Sequence, residues 1–189
     1  RFGLAADTVA VGVFARFVAR KGHKWLLRAV QALPANVRAR VRLFFAGRGP
    51  EEAAVRARVQ ELGLVDHVEF CGYIPHAERL VPGMDIGIVP SFYEGLSYQL
   101  LETLSAGVPV VATDASGNYF ALPDNPIQYV HANDVDAMAA TLEALITATR
   151  RRVDLGAAGR DWARRNFSLA QQVNSLLACY RRALAAGRS

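Results

Sequence analysis

The sequence predicts an α/β fold, a parallel sheet with helices covering both of its faces. Three observations carry that prediction. Short apolar runs of strand length alternate with longer segments of helical periodicity, the pattern of repeated strand–helix–strand crossovers. One such run, Ile86 to Val89, is continuously apolar instead of alternating, as strands buried on both faces are. Of 189 residues, 52% are apolar and 21% charged, enough to fill a core and too apolar for a disordered chain. One domain over residues 1–189 is the expectation.

Each element follows from its residues. Thr8 to Phe14 is an apolar strand, and a basic loop follows it through Gly22. Lys24 to Leu33 form a helix that Pro34 stops, because proline has no N–H to continue it. Val41 to Ala46 make the second strand, and Pro50 opens a helix that Gly63 ends. Val68 to Cys71 is the third strand and His76 to Val81 a short helix. Ile86 to Val89 is the fourth strand; Pro90 and Ser91 end it, and Ser97 can cap a helix whose Leu100, Leu101 and Leu104 share one face. Gly107 supplies a left-handed stop, and Pro109 to Ala112 form the fifth strand. Asp114 to Pro126 reads as a loop before a short strand at Gln128 to Val130. Asp134 caps a helix to about Thr147, another runs from Val153 to Arg165, and Ser168 with Gln171 opens the last, which ends near Leu184.

Several function classes drop out. The net charge of +5 would suit an anionic partner, but the arginines are spread over helices and form no basic block, so nucleic acid is not expected. Cys71 and Cys179 make neither a metal quartet nor a disulfide framework, and reduced thiols in a cytoplasmic protein are expected. No run approaches the ~18 apolar residues of a membrane span. The chain opens on Arg1 and enters a strand almost at once, which reads as a cut inside a longer polypeptide.

The candidate chemistry lies after the strands. Arg16 and Lys21 sit in the loop after the first strand, where they could hold pyrophosphate oxygens; on spacing alone an ordinary solvated loop is favoured. Gly47-Arg48-Gly49-Pro50 fails as a dinucleotide fingerprint, since Glu52 replaces the third glycine, and reads as a tight turn, near a ligand or not. Glu94 stands beside Gly95 in the loop after the fourth strand, where open α/β sheets bind ligands. Glu102 follows eight positions later opposite a leucine stripe, so it is either a hydroxyl acceptor or a solvated helix glutamate. Asp134 and Asp136 could hold a divalent metal, although carboxylates opening a helix have a sufficient structural reason to be there.

Taken together these residues resemble the C-terminal, donor-binding domain of the retaining nucleotide-sugar glycosyltransferases of family four, which have the GT-B fold. The resemblance covers nearly the whole chain and rests on several motifs in order: Arg16 with Lys21-Gly22, Gly47-Arg48-Gly49-Pro50, Val68-Glu69-Phe70-Cys71-Gly72, Pro90-Ser91 before Glu94-Gly95, Glu102, and Ala106-Gly107-Val108-Pro109-Val110-Val111-Ala112. Phe167-Ser168 and Tyr180 are similar to the family's last helix. The fold it implies is a Rossmann-like parallel sheet, the C-terminal half of GT-B.

The resemblance also implies roles. Arg16 and Lys21 would bind the donor diphosphate, Glu102 the ribose hydroxyls, and Glu94 the donor sugar near the reacting carbon, as the catalytic residue. Backbone amides of Gly95, Leu96, Ser97 and Tyr98 would face phosphates or sugar, with Tyr73 and Ile74 near the base. No cofactor and no metal is implied; the donor is a nucleoside-diphosphate sugar, UDP or GDP being open. The acceptor, a saccharide or a lipid-linked one, would be held by an N-terminal domain lying outside this chain. The implied setting is surface polysaccharide or lipopolysaccharide synthesis in a bacterium, in the cytoplasm or at the inner face of the membrane. Departures occur at Ala15, where glycine is commoner, and at Ser116-Gly117-Asn118-Tyr119, where the family usually has two glycines and a glutamate. Two alternatives remain at this point: a GT-B epimerase or hydrolase of nucleotide sugars, and a non-catalytic nucleotide-binding or interaction module.

Overall fold

The computed structural model describes residues 3–115 and 124–186. Six strands form one sheet: β1 (Val9–Phe14), β2 (Val41–Ala46), β3 (Val68–Gly72), β4 (Ile86–Val89), β5 (Val110–Thr113) and β6 (Gln128–Val130). Their spatial order is β3-β2-β1-β4-β5-β6, and every described pairing is parallel. Seven helices accompany them: α1 (His23–Ala32), α2 (Ala35–Arg38), α3 (Glu52–Glu61), α4 (Tyr98–Ser105), α5 (Val135–Thr147), α6 (Thr149–Phe167) and α7 (Leu169–Ala186).

The period of two in β1 explains the layers. Val9, Val11 and Val13 pack with Leu26, Leu27, Val55 and Leu142 from α1, α3 and α5, while Ala10 joins Phe44, Val81 and Met84 on the opposite face. In β5, Val111 belongs to the first layer, whereas Val110 and Ala112 pack with Leu100, Leu104 and Trp162 from α4 and α6. Trp162 is fully buried and lies 5.4 Å from Phe167, ring centre to ring centre. It ties α6 to α4, so Trp162→Ala should cost about 3–5 kcal/mol. In a thermal melt that corresponds to a midpoint about 10 °C lower for a chain of this size.

The structure shifts several expected boundaries, each for a local reason. Pro34 ends α1 and also starts the one-turn α2, because its carbonyl accepts from the Val37 and Arg38 N–H groups at 2.9 and 2.8 Å. The short helix expected from His76 is a 3₁₀ segment, Ala77–Gly83, entered through His76 in the left-handed region (φ 57°) and containing Pro82. The basic loop after β1 contains a single 3₁₀ turn, Ala19–Lys21. The helix expected to start at Val153 starts at Thr149 and runs through Gly156 and Gly159 to Phe167. Asp134 caps α5 by accepting from the Ala137 N–H at 2.9 Å, Ser168 accepts from Gln171 N–H at 3.2 Å, and Gly107 has φ +75°.

Every described residue of α7 is exposed, including Leu169, Val173, Leu176, Leu177, Tyr180 and Leu184, which recur at three- and four-residue intervals. Among the described residues no helix is long and apolar enough to cross a membrane. Cys71 is half-buried, Cys179 exposed, and neither is in a disulfide. Burial and the nearby Glu69 carboxylate push the Cys71 thiol up, so it is protonated at neutral pH.

Candidate functional site

β1 and β4 are neighbours in the sheet, yet the chain leaves β1 toward β2 on one side and leaves β4 toward β5 on the other. Such a reversal is where open α/β sheets form a crevice at the C-terminal edge of the strands; here the β1 and β4 loops touch, and the cavity lies on the β2–β3 side of β1. Both loops carry residues singled out by the sequence.

Backbone contacts set the shape of the crevice. Gly22 (φ +70°) lies so close to Pro90 that a β-carbon would overlap the Pro90 carbonyl oxygen. The same oxygen accepts from the Trp25 indole N–H at 2.8 Å, and the Phe92 N–H donates to the Arg20 carbonyl at 2.7 Å. On the other flank a β-carbon at Gly47 would overlap the Ala15 carbonyl. Phe17 N–H donates to the Arg48 carbonyl at 3.2 Å, and Glu51 N–H to the Phe17 carbonyl at 3.0 Å. Gly47-Arg48-Gly49-Pro50 is therefore a tight turn that braces the β1 loop.

Glu94 occupies the bottom of the β4 loop, 6% exposed. Its Oε1 accepts from Ser91 Oγ at 2.7 Å and pairs with Lys21 Nζ; its Oε2 lies 3.5 Å from an Arg20 guanidinium nitrogen. Arg20 also donates to the Tyr93 carbonyl at 3.3 Å. Thr113 at the end of β5 donates its hydroxyl to the Ser91 carbonyl, so the Glu94 loop is tied to two strands. Burying a carboxylate is costly without compensating partners, and Glu94 has two cations and a hydroxyl.

The remaining expected residues divide. Arg16, Tyr73, Ile74 and Glu102 line one cavity of about 440 Å³, joined there by Gly47, Arg48, Ala77 and Glu78. The Arg48 guanidinium lies 5.7 Å over the Tyr73 ring. Desolvation raises the Glu102 carboxyl above its ordinary value, and the Glu78 carboxylate raises it further. Gly95, Leu96, Ser97 and Tyr98 connect Glu94 to α4, and Ser97 Oγ caps it by accepting from the Leu100 N–H at 3.4 Å. The side chains of Leu96 and Tyr98 do not enter the Arg16 cavity; they line a separate groove with Asn166 and Phe167. Ser116, Gly117, Asn118 and Tyr119 lie outside the described residues. Asp134 is spent as a helix cap and Asp136 sits in the first turn of the same helix, which supports their structural reading.

Sequence reasoning missed Arg20, Glu78 and Thr113, and took Arg48 and Ser91 only as members of the Gly47-Arg48-Gly49-Pro50 and Pro90-Ser91 motifs. Only Ser91 had a local signal, three residues before Glu94 at the end of an apolar strand. Next to Lys21, His23 is 3% exposed, stacked 4.6 Å from Phe17 and edge-on 5.2 Å from Phe45, and its Nε2 has no hydrogen-bond partner. Burial, helped by the Lys21 charge, lowers its pKa to about 4.

Sheet order and loop geometry define a Rossmann-like α/β protein with a cavity at the C-terminal ends of β1, β2 and β3, beside α4. Residues 8–148 match the family described as Glycosyl transferases group 1, and the chain belongs to that family. Its relatives include the GDP-mannose-dependent alpha-(1-6)-phosphatidylinositol monomannoside mannosyltransferase of Mycolicibacterium smegmatis, 33% identical over 88% of this chain and 46% of the relative. A lipopolysaccharide core biosynthesis glycosyltransferase of Rhizobium meliloti is 30% identical over 86% of this chain and 46% of its own length. Among solved structures, sucrose-phosphate synthase from Thermosynechococcus elongatus superposes with a TM-score of 0.83 at 27% identity, over 98% of this chain and 48% of that one. The Anabaena protein HepE, in complex with UDP, superposes at 0.80 and 21% identity, over 92% of this chain and 50% of that one. The chain spans about half the length of the curated relatives it matches. The expected family and the Rossmann-like, GT-B-type fold are both shown.

Proposed function

We propose that this chain is the C-terminal, donor-binding half of a retaining glycosyltransferase that moves a sugar from a nucleoside-diphosphate sugar to a saccharide or lipid-linked acceptor in surface polysaccharide or lipopolysaccharide synthesis. The observation that carries the reading is the convergence of Arg16, Tyr73, Ile74 and Glu102 on one cavity, at the strand edge where Lys21 and Glu94 are paired. Bond cleavage leaves negative charge on the departing diphosphate, and fixed cations beside a helix N-terminus lower the barrier by stabilising that charge. Arg16 and Lys21 supply the cations, so no metal ion is required. Backbone N–H groups of Gly95 to Tyr98, at the start of α4, face the phosphates or the sugar. Glu102 accepts from the ribose hydroxyls, and Glu94 stands at the donor sugar as the catalytic carboxylate. Acceptor contacts come from an N-terminal half, and the full enzyme works in the cytoplasm or against the inner face of the membrane.

Titration calorimetry of this chain with UDP, GDP and ADP in EDTA tests the donor site. Binding is expected without metal, and Lys21→Ala should weaken it by about tenfold or more, the scale of one charge-assisted contact to phosphate. Failure of every nucleotide to bind, or binding indifferent to Lys21, overturns the reading.

A further inference from the structure

The donor cavity holds two charged side chains that the reading above leaves without a task, Arg48 and Glu78. Their positions differ in kind from that of Glu102. Glu102 rides on α4, which begins where the Glu94 loop ends, whereas Glu78 lies in the 3₁₀ segment that continues directly from Tyr73 and Ile74. Tyr73, Ile74 and Ala77 line one side of the cavity, and the Arg48 guanidinium lies 5.7 Å from the Tyr73 ring centre. A planar ring seated in the cavity shares it with the Glu78 carboxylate and the Arg48 guanidinium. Glu78 Oε1 lies 3.3 Å from His76 Nδ1.

Resting on the donor-site reading, we infer that this cavity selects guanine, and that Glu78 is the residue that makes the selection, with Arg48 as its counterpart. The chemistry is a matter of donors and acceptors. An ionised carboxylate only accepts hydrogen bonds, through two oxygens that suit a pair of adjacent N–H donors. Guanine offers such a pair, N1–H and the N2 amine, along one edge. Uracil offers a single N3–H between two carbonyl oxygens that repel a carboxylate. Adenine and cytosine each offer one amine beside a ring-nitrogen lone pair. Arg48 meets the same preference from the other sign: guanidinium donors fit guanine O6 and N7. Discrimination against a base that leaves the carboxylate unpaired follows from the cost of an unmade charge-assisted bond.

The test is calorimetric titration of this chain with GDP, ADP, CDP and UDP, in the wild type, Glu78→Gln and Lys21→Ala, with circular dichroism to check folding. GDP is expected to bind about tenfold or more tighter than UDP, a ratio set by two charge-assisted hydrogen bonds at a half-exposed side chain. Glu78→Gln should bring that ratio to within about threefold, by weakening GDP, because a neutral amide replaces the paired acceptor. Lys21→Ala should weaken all four nucleotides alike and keep the ratio, since it acts on the diphosphate. Tighter binding of UDP, ADP or CDP, or a GDP preference that survives Glu78→Gln, overturns the guanine inference and leaves the donor site standing. Absence of binding by all four overturns both.

Discussion

Glu94→Gln in the full-length enzyme is expected to separate transfer from nucleotide binding. Sugar transfer should fall by about three orders of magnitude, the scale of losing a positioned group at the reacting centre. Diphosphate binding should move the other way and tighten by about three- to tenfold. The reason is the pairing in the ligand-free chain: Lys21 and Arg20 are both engaged by the Glu94 carboxylate. A neutral amide of the same size keeps an acceptor for Ser91 but releases the cations and removes a negative charge from beside the diphosphate. A labelled-donor assay together with calorimetry on the same variant reads both effects. Loss of both transfer and binding would show that Glu94 holds the loop together and does no more.

Acid should destabilise the fold through His23. Its folded pKa of about 4 lies below the ordinary 6.5, so above pH 6.5 the ring is neutral in both states and costs nothing. As pH falls below 6.5 the unfolded chain takes up a proton that the folded chain refuses, and stability drops until the folded pKa is reached. A difference of that size corresponds to about 3 kcal/mol lost between pH 6.5 and 4. Urea denaturation at several pH values, comparing wild type with His23→Phe, isolates this contribution from the carboxylates, which titrate in both proteins. Phenylalanine can keep the stacking on Phe17 and Phe45 and has no unpaired nitrogen. Parallel stability curves for the two proteins would contradict the assignment.

Much of the sheet was legible because buried parallel strands leave an unambiguous trace. β2, β4 and β6 begin and end at the residues expected from the sequence. The misses came where proline and backbone geometry decide locally: α2 after Pro34, and the 3₁₀ segment around Pro82. The site was legible only in pieces. Arg16, Tyr73, Ile74 and Glu102 could be named from family motifs, but their meeting in one cavity depends on strand order, which no local pattern encodes. The engagement of Glu94 by Lys21 and Arg20 joins residues 73 and 74 positions apart. Glu78 went unread for the same reason, and Arg48 was read only as part of the Gly47-Arg48-Gly49-Pro50 turn. In sequence Arg48 is an ordinary turn residue and Glu78 a surface glutamate, and only the fold makes them neighbours.

The close approaches at Gly22 and Gly47 have a dynamic consequence. The loops around the crevice are stitched to one another through main-chain atoms, by the Phe92–Arg20, Phe17–Arg48 and Glu51–Phe17 bonds, as well as through the Lys21–Glu94 and Trp25–Pro90 side-chain contacts. Opening them means breaking peptide hydrogen bonds, an event that belongs with slow sub-global unfolding and amide exchange instead of nanosecond loop fluctuation. A nucleotide entering the proposed donor site would therefore meet a mould already cast, with little ordering entropy left to lose from the main chain.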